Sequence, residues 1–441
     1  MSLKQRVKIM LYDFVKVCPP ARRLVRHMIF QYRALTFRRH TKGIPTDPHL
    51  MVFCTFSGRG YSDSPRAIFE YMASRPEEYG QFRYVWIFQH PEQFQWLEEQ
   101  YPNTTVLKWA SVPYQKAMAA AKYWVFNYRV SDHIWPKEDQ IYLECWHGTP
   151  LKRLGYDLET EGGNVMNSLK EVREKYDLDA AKFRYILSPS DFTTEKFTSA
   201  WNLKANGKEH AILQEGYPRN DYLINHTSAD VQRVKERLHI TPVDIGGKKI
   251  VLYAPTWRDN QHDSADGYSY ELGLDFARLR EKLGEAYVIL FRAHYLVASH
   301  FDFAAYEGFV WDVSQYPDIN DLYIVADLLI TDYSSVFFDY ANLKRPILFY
   351  MYDLAAYRDD IRGFYLSLDE LPGPIVETEE ALIQAIPQAA NSEAYDEKYQ
   401  RFHARFNGQD DGHASERVVK RLLETQPAAP SDMVDQEALV K

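Results

Sequence analysis

Residues 318–365 constrain the fold more than any other stretch of the chain. An apolar run from Leu322 to Ile330 stops at Thr331-Asp332-Tyr333-Ser334-Ser335, after which Val336, Phe337, Tyr340 and Leu343 recur at helical spacing. Beyond Lys344-Arg345-Pro346 a second apolar run covers Ile347 to Tyr350. The pattern is strand, tight turn, helix, strand, with Ser334 and Ser335 at the helix start, where backbone N–H groups lack partners. Hydroxyls and unpaired amides in that place suit an anionic phosphate. The same residues also read as a plain helix cap.

Comparable units recur along the chain. Leu50–Phe56 forms a strand that runs into Ser57-Gly58-Arg59-Gly60, with a helix from about Pro65. Further strands are expected at Tyr84–Phe88, Thr105–Leu107, Tyr123–Asn127, Ile141–Cys145, Tyr185–Leu187 and Ala211–Gln214. The pattern restarts after Gly246-Gly247-Lys248 with Ile250–Ala254, then Tyr287–Phe291, Gly308–Asp312, Leu328–Thr331 and Pro346–Tyr350. Repeated βα units imply parallel sheets with helices on both faces and ligands at the carboxyl ends of the strands. At 441 residues the chain is too long for one core. The expected organisation is α/β: an arm over 1–45, a Rossmann-like domain over 46–245, a second over 246–425 facing it across a cleft, and a disordered tail over 426–441. Residues 158–182 read as an inserted polar helical segment, and one helix is expected from Glu393 to Thr425.

Hydrophobic content of 46% and charged content of 26% are those of a soluble globular protein. Cys18, Cys54 and Cys145 are scattered without a CxxC, which excludes a disulfide framework and a cysteine zinc site and suits a reducing cytoplasmic location. No apolar stretch approaches the ~20 residues needed to cross a bilayer. Charge is unevenly spread. Residues 1–43 hold 11 Lys and Arg against one acid, Asp13, a net +10, and the remainder holds 41 against 60, a net −19. Leu3, Val7, Met10, Leu11, Phe14 and Val15 share one helical face; after Pro19-Pro20 a second pattern runs through Leu24, Met28, Ile29 and Tyr32 among six arginines. This suits a helical hairpin on an anionic membrane surface, or an amphipathic helix packed on the body. Nucleic acid is not expected as a partner, because the acidic remainder repels a phosphate backbone.

Unusual short segments sit where strands end: Trp146-His147-Gly148-Thr149-Pro150, Gly216-Tyr217-Pro218-Arg219-Asn220-Asp221, Ala254-Pro255-Thr256-Trp257-Arg258 and Arg292-Ala293-His294-Tyr295. Together they place two histidines, several arginines and rigid prolines around one cleft. With the TDYSS…FDYANLKRP block at 331–346, YRDDIRGFY at 357–365 and DDGHASERV at 410–418, the chain resembles the CDP-glycerol:poly(glycerophosphate) glycerophosphotransferases of Gram-positive teichoic acid synthesis, which include capsule-synthesis and CDP-ribitol-using members. The resemblance spans roughly residues 50–420. It implies a GT-B-like fold, with acceptor bound by the first domain and CDP-alditol by the second. It also implies an undecaprenyl-diphosphate-linked acceptor, and so a peripheral place on the cytoplasmic face of the membrane.

Transfer of an alditol phosphate is attack by an acceptor hydroxyl on the distal phosphorus with CMP leaving; it needs a base and positive charge near the pyrophosphate. His147 is the candidate base, as the resemblance implies, with His294 as second catalytic histidine. Arg258, Arg292, Pro255, Thr331, Ser334 and Ser335 are expected at the donor, and Asp339 either at a ribose hydroxyl or as a solvated helix residue. Gly148, Thr149, Arg219 and Asn220 are expected at the acceptor or cleft. Relatives often carry Phe at Trp257 and a Met-bearing form of the RAHY run, neither of which removes a functional group. Asp177-Leu178-Asp179 lies in a charged helical stretch where solvation explains it, so no protein-held metal is expected, although Mg²⁺ can ride on the pyrophosphate. A nucleotide-sugar glycosyltransferase of cell-envelope polysaccharide synthesis and a non-catalytic membrane scaffold share the architecture. Glycerol or ribitol, teichoic acid or capsule, and one unit added or many, stay open at this level.

Overall fold

The computed structural model of the protein describes residues 19–159, 168–256, 262–263, 267–268, 273–293, 303–354, 363–391 and 395–425. Among these, β1 (Asp47–Cys54), β2 (Arg83–Phe88), β3 (Thr104–Lys108), β4 (Ala121–Phe126), β5 (Ile141–Glu144), β6 (Tyr185–Leu187) and β7 (Ile212–Leu213) form one parallel sheet in the order β3-β2-β1-β4-β5-β6-β7. The chain then enters a second parallel sheet with β8 (Lys249–Ala254). A short antiparallel pair, β9 (His262–Asp263) and β10 (Gly267–Tyr268), precedes β11 (Tyr287–Phe291), β12 (Val310–Asp312), β13 (Leu328–Thr331), β14 (Ile347–Tyr350) and β15 (Ile375–Val376). The second sheet is ordered β12-β11-β8-β13-β14-β15.

Both sheets bury two faces, which is why their strands read as continuous apolar runs. Met51, Phe53 and Trp86 enter one core of the first sheet, while Val52, Cys54 and Trp124 enter the core on its other face. Leu252, Leu290 and Leu329 divide from Val251, Ile289 and Ile330 in the same way across the second sheet. Strand order reverses between β1 and β4 in the first sheet and between β8 and β13 in the second. Each reversal opens a crevice at the carboxyl ends of those strands.

The division between the two cores departs from the boundary drawn at 245/246. Leu223, Val234, Ile240 and Ile245 pack with the second sheet, so the crossing lies near residues 216–221; Gly246 only ends a short helix, with a left-handed φ of 63°. The expected helix Glu393–Thr425 is two, Glu397–Phe406 and Ala414–Glu424. The second returns to the first domain, where Val418, Val419 and Leu422 join the core with Phe53 and Trp86. The strand expected from Gly308 begins at Val310, because Gly308 takes a left-handed φ of 76° in a turn. Helix Leu169–Lys182 begins with a capping box of Ser168 and Glu171. Asp179 in it is not solvated: it is buried against Arg129 at 2.5 Å, and Asp177 accepts from Tyr156 and Asn206. Of the expected hairpin, helix Pro19–Thr41 is described; residues 1–18, and the tail expected over 426–441, lie outside the described residues.

A buried polar tie joins the domains at the crossing. The Arg219 guanidinium donates to Asp63 Oδ1 of the first domain at 3.2 Å and to Asp339 Oδ1 of the second at 3.0 Å. Asn220 donates to Asp339 at 3.1 Å and to Asp410 at 2.7 Å, and Tyr217 lies under the guanidinium at 4.2 Å. Arg219 is only 5% exposed, so its charge depends on both carboxylates. Arg66 adds a second bridge to Asp318 at 3.0 Å.

This packing can be tested by two substitutions. Leu422→Ala should lower stability to denaturant by about 2–5 kcal/mol through loss of a filled core site, and an unchanged unfolding midpoint would refute the return of that helix to the first core. Arg219→Met should cost about 3–5 kcal/mol, because two carboxylates lose their common partner; a midpoint equal to wild type would show the tie to be dispensable.

Candidate active site

The first crevice is built by the ends of β1, β4 and β5. Cys145 N–H donates to the Phe126 carbonyl at 2.6 Å, and the chain then turns sharply at Trp146, whose φ is 51°. Buried Glu144 accepts from Trp146 N–H at 2.9 Å and from Tyr142 at 2.5 Å, which holds the turn; burial pushes its carboxyl up to about 8. The turn delivers His147 over the end of β4, with Nδ1 3.0 Å from the Asn127 carbonyl oxygen. A carbonyl only accepts, so Nδ1 carries the proton and Nε2 keeps a lone pair. Trp146 stacks on the imidazole at 4.3 Å between centroids, and Phe56 and Tyr128 lie at 6.1 and 6.2 Å. His147 is exposed at the floor of the cleft, yet protein surrounds it on most sides. That dense surrounding disfavours the imidazolium and holds the pKa below the ordinary histidine value.

The second crevice lies between the ends of β8 and β13. Thr331 Oγ1 donates to the Ala254 carbonyl at 2.8 Å, and Asp332 accepts from Thr256 N–H at 2.8 Å and Tyr333 N–H at 2.6 Å. Thr331 and Asp332 are therefore buried braces that join two strand ends, with Pro255 buried between them. Ser334 and Ser335 are half-buried, and Ser335 makes no side-chain cap to helix Val336–Tyr340, which sets aside the plain capping role for it. Arg292, at the end of β11, donates to the carbonyls of Val313 and Tyr316 at 3.1 and 2.8 Å. Burial lowers its pKa from a very high starting value.

The two crevices meet. A Cβ added at Gly148 would stand 3.3 Å from Ser335 Oγ, so the His147 turn and the serine turn lie close together. Thr149 is buried beside them. A few residues on, Arg153 N–H donates to Gly363 O, and Tyr365 N–H to Leu151 O, each at 2.9 Å, which joins the WHGTPLK segment to the end of YRDDIRGFY. Next to that join a cavity of about 550 Å³ is lined by Arg153, Tyr156, Asp157, Arg173, Lys196 and Tyr365.

His147, Gly148, Thr149, Ser334 and Ser335 are thus gathered at one cleft. Arg219, Asn220 and Asp339 are gathered elsewhere, in the buried tie, and Asp339 is not the solvated helix residue allowed for above. Arg258 and His294 lie outside the described residues. Sequence reading missed Asp63 and Asn127, which carry no motif of their own, and gave no role to Asp410, which opens the DDGHASERV run. Among the described residues no group of three or more His, Cys, Asp or Glu is placed to hold a metal ion.

Known proteins resemble this chain in sequence and in fold. The chain is 36% identical over 406 residues to a teichoic acid poly(glycerol phosphate) polymerase of Bacillus spizizenii (strain ATCC 23059 / NRRL B-14472 / W23), covering 90% of this chain and 99% of that one. It is 36% identical over 409 residues to a teichoic acid glycerol-phosphate transferase of Staphylococcus aureus (strain NCTC 8325 / PS 47), covering 91% and 98%. Against a poly(glycerol phosphate) polymerase of Bacillus subtilis (strain 168) identity is 43% over 350 residues, and this chain spans 45% of that relative's length. A solved structure of the wall teichoic acid polymerase TagF, a His-to-Asn variant soaked with CDPG, superposes with a TM-score of 0.78 at 33% identity over 91% of this chain and 96% of that one. Residues 35–424 match the sequence profile of one family, and the chain belongs to it: the CDP-glycerol:poly(glycerophosphate) glycerophosphotransferases, GT-B-like transferases that move an alditol phosphate from a CDP-alditol.

Proposed function

We propose that the protein transfers glycerol phosphate from CDP-glycerol to a hydroxyl of a lipid-linked acceptor, with His147 as general base. The approach of Gly148 to Ser335 carries the reading, since it sets a neutral imidazole beside the hydroxyl-bearing turn of the donor domain. Nε2 takes the acceptor proton as the hydroxyl oxygen attacks the phosphorus that bears glycerol. The bond from that phosphorus to the bridging oxygen breaks, and CMP leaves. Ser334, Ser335 and Arg292 hold the departing phosphate, with Arg258 and His294 assigned there by family resemblance. Where Mg²⁺ takes part, it arrives on the donor pyrophosphate. Glycerol is favoured over ribitol because the three glycerol-phosphate relatives named above are 36–43% identical over 350–409 residues, whereas a poly(ribitol-phosphate) polymerase is 37% identical over only 222 residues.

The acceptor's lipid gives helix Pro19–Thr41 a use. Leu24, Met28, Tyr32 and Leu35 recur along one face and are 60, 53, 72 and 63% exposed. Toward its end the helix is docked by Phe37 and by a 2.8 Å bond between His40 and Gln115, and Arg26 reaches Glu171 of the body at 3.7 Å, while the face of Leu24, Met28, Tyr32 and Leu35 stays exposed to meet lipid. No described helix is long and apolar enough to cross a membrane. Nearby arginines each add on the order of 1 kcal/mol at an anionic cytoplasmic leaflet.

CMP release and product mass from CDP-glycerol and CDP-ribitol test the reaction. Wild type should turn over CDP-glycerol, and His147→Ala should lose about 10²–10⁴-fold. Wild-type turnover by the variant would remove the base role, and a sugar in the product would remove the donor class. The base acts when neutral, and its pKa is lowered, so the rate should fall only as pH drops through a value below 6.5. An acidic limb above that value would count against the assignment. Leu24→Glu with Met28→Glu and Leu35→Glu should release the protein from vesicles rich in anionic phosphatidylglycerol; undiminished vesicle binding would sink the membrane role.

A further inference from the structure

Four non-glycine residues with left-handed backbone crowd the first crevice: Phe56 (φ 47°), Ser57 (φ 58°), Asp63 (φ 63°) and Trp146 (φ 51°). Strain of this kind persists where surrounding contacts over-determine it, and it gathers at functional sites. The contacts here converge on Asn127, which is fully buried. Its side-chain oxygen accepts from Phe56 N–H at 2.8 Å, and its amide donates to Asp63 Oδ2 at 2.9 Å. The backbone carbonyl of the same residue receives His147 Nδ1–H at 3.0 Å. Asp63 in turn accepts from Arg219, which reaches Asp339 across the domain boundary.

We propose that Asn127 and Asp63 are positioning residues that hold His147 in its Nδ1–H form with Nε2 aimed at the cleft, and that Arg219 couples this aim to the docking of the second domain. The proposal rests on the reading of His147 as the base. Asn127 follows the last residue of β4, where a peptide plane is free to rotate unless its side chain is anchored. Here the side chain is anchored on both sides, by a donor from Phe56 and an acceptor on Asp63, so the carbonyl points one way only. The ring follows the carbonyl, because a neutral imidazole that donates from Nδ1 must present its lone pair at Nε2. Asp63 uses Oδ2 for Asn127, while its Oδ1 accepts from Ser64 N–H at 2.5 Å and from Arg219 at 3.2 Å, so the carboxylate that sets the carbonyl is itself held in part by the interdomain tie. Separation of the domains would release Arg219 from Asp339 and loosen Asp63, and with it the aim of the base. The acceptor side then becomes competent when the donor domain is seated.

An isosteric swap tests this without changing shape. Asn127→Asp alone sets two acceptors against each other, and Asp63→Asn alone leaves one oxygen where Asn127 and Arg219 each need an acceptor. The double variant restores the bond with its direction reversed: the carboxylate introduced at position 127 would still accept from Phe56 N–H and would now accept from the amide introduced at position 63. Each single variant should lower kcat about 100-fold, with KM for CDP-glycerol within about threefold, because misaiming a reacting group by about 1 Å costs on this order. The double variant should recover to within about tenfold of wild type. In protein labelled with ¹⁵N-histidine, the His147 signals should change from one Nδ1–H form to a mixture in the singles and return in the double. Single variants that keep wild-type kcat and ring signals overturn the proposal, as do variants that lose kcat with ring signals unchanged, since the residues would then be structural only. Asp339→Asn should also disturb the ring signals in nucleotide-free protein; undisturbed signals overturn the coupling. His147→Ala separates the two levels. If it retains full turnover the base reading itself fails, and if it is inactive while the singles match wild type, only this inference fails.

Discussion

A buried guanidinium between two carboxylates of different domains is the constraint on which the rest of the structure depends. Arg219 has little access to water, and the charge is tolerated only while Asp63 and Asp339 both remain in place. Loss of either domain would leave the guanidinium with one carboxylate of the two. The tie therefore favours one relative placement of the sheets, and the returning helix Ala414–Glu424 reinforces it by packing apolar surface on the first domain. Asp410 joins the same network and is pushed up to about 6 by burial, so the tie contains a carboxylate whose charge is itself costly to bury.

Placement matters because each sheet supplies one wall of the cleft. Parallel strands leave polar backbone at their carboxyl ends, and the reversal of strand order opens a crevice there. One crevice holds a histidine whose tautomer is set by a carbonyl, and the other holds two half-buried serines at the start of a helix. The short approach at Gly148 makes them one site, and a side chain at that position would press on Ser335.

The αβ repeat, the two sheets and the cleft were readable from the chain, because strands buried on both faces must be apolar throughout and helices between them must be periodic. His147, Ser334 and Ser335 were readable because turns at strand ends carry residue types that packing does not demand. Arg219, Asn220 and Asp339 were noticed for the same reason, yet their burial in a tie was not, since a polar residue in a motif looks the same whether it meets a ligand or a carboxylate from another domain. Domain membership of the helices over 221–245 and 414–424 was also hidden. An amphipathic face states that something covers it and does not name the cover.

Local conformation and the order of the elements are written along the chain, because backbone sterics and side-chain periodicity act over a few residues. The partners of polar groups are not written there. Asn127, Asp63 and His147 are separated by 20 to 84 positions and share no pattern, so their meeting depends on how strands order in a sheet and how two sheets dock. Those choices follow from the sum of many buried contacts across the molecule, and they alone give a histidine after a strand a defined tautomer.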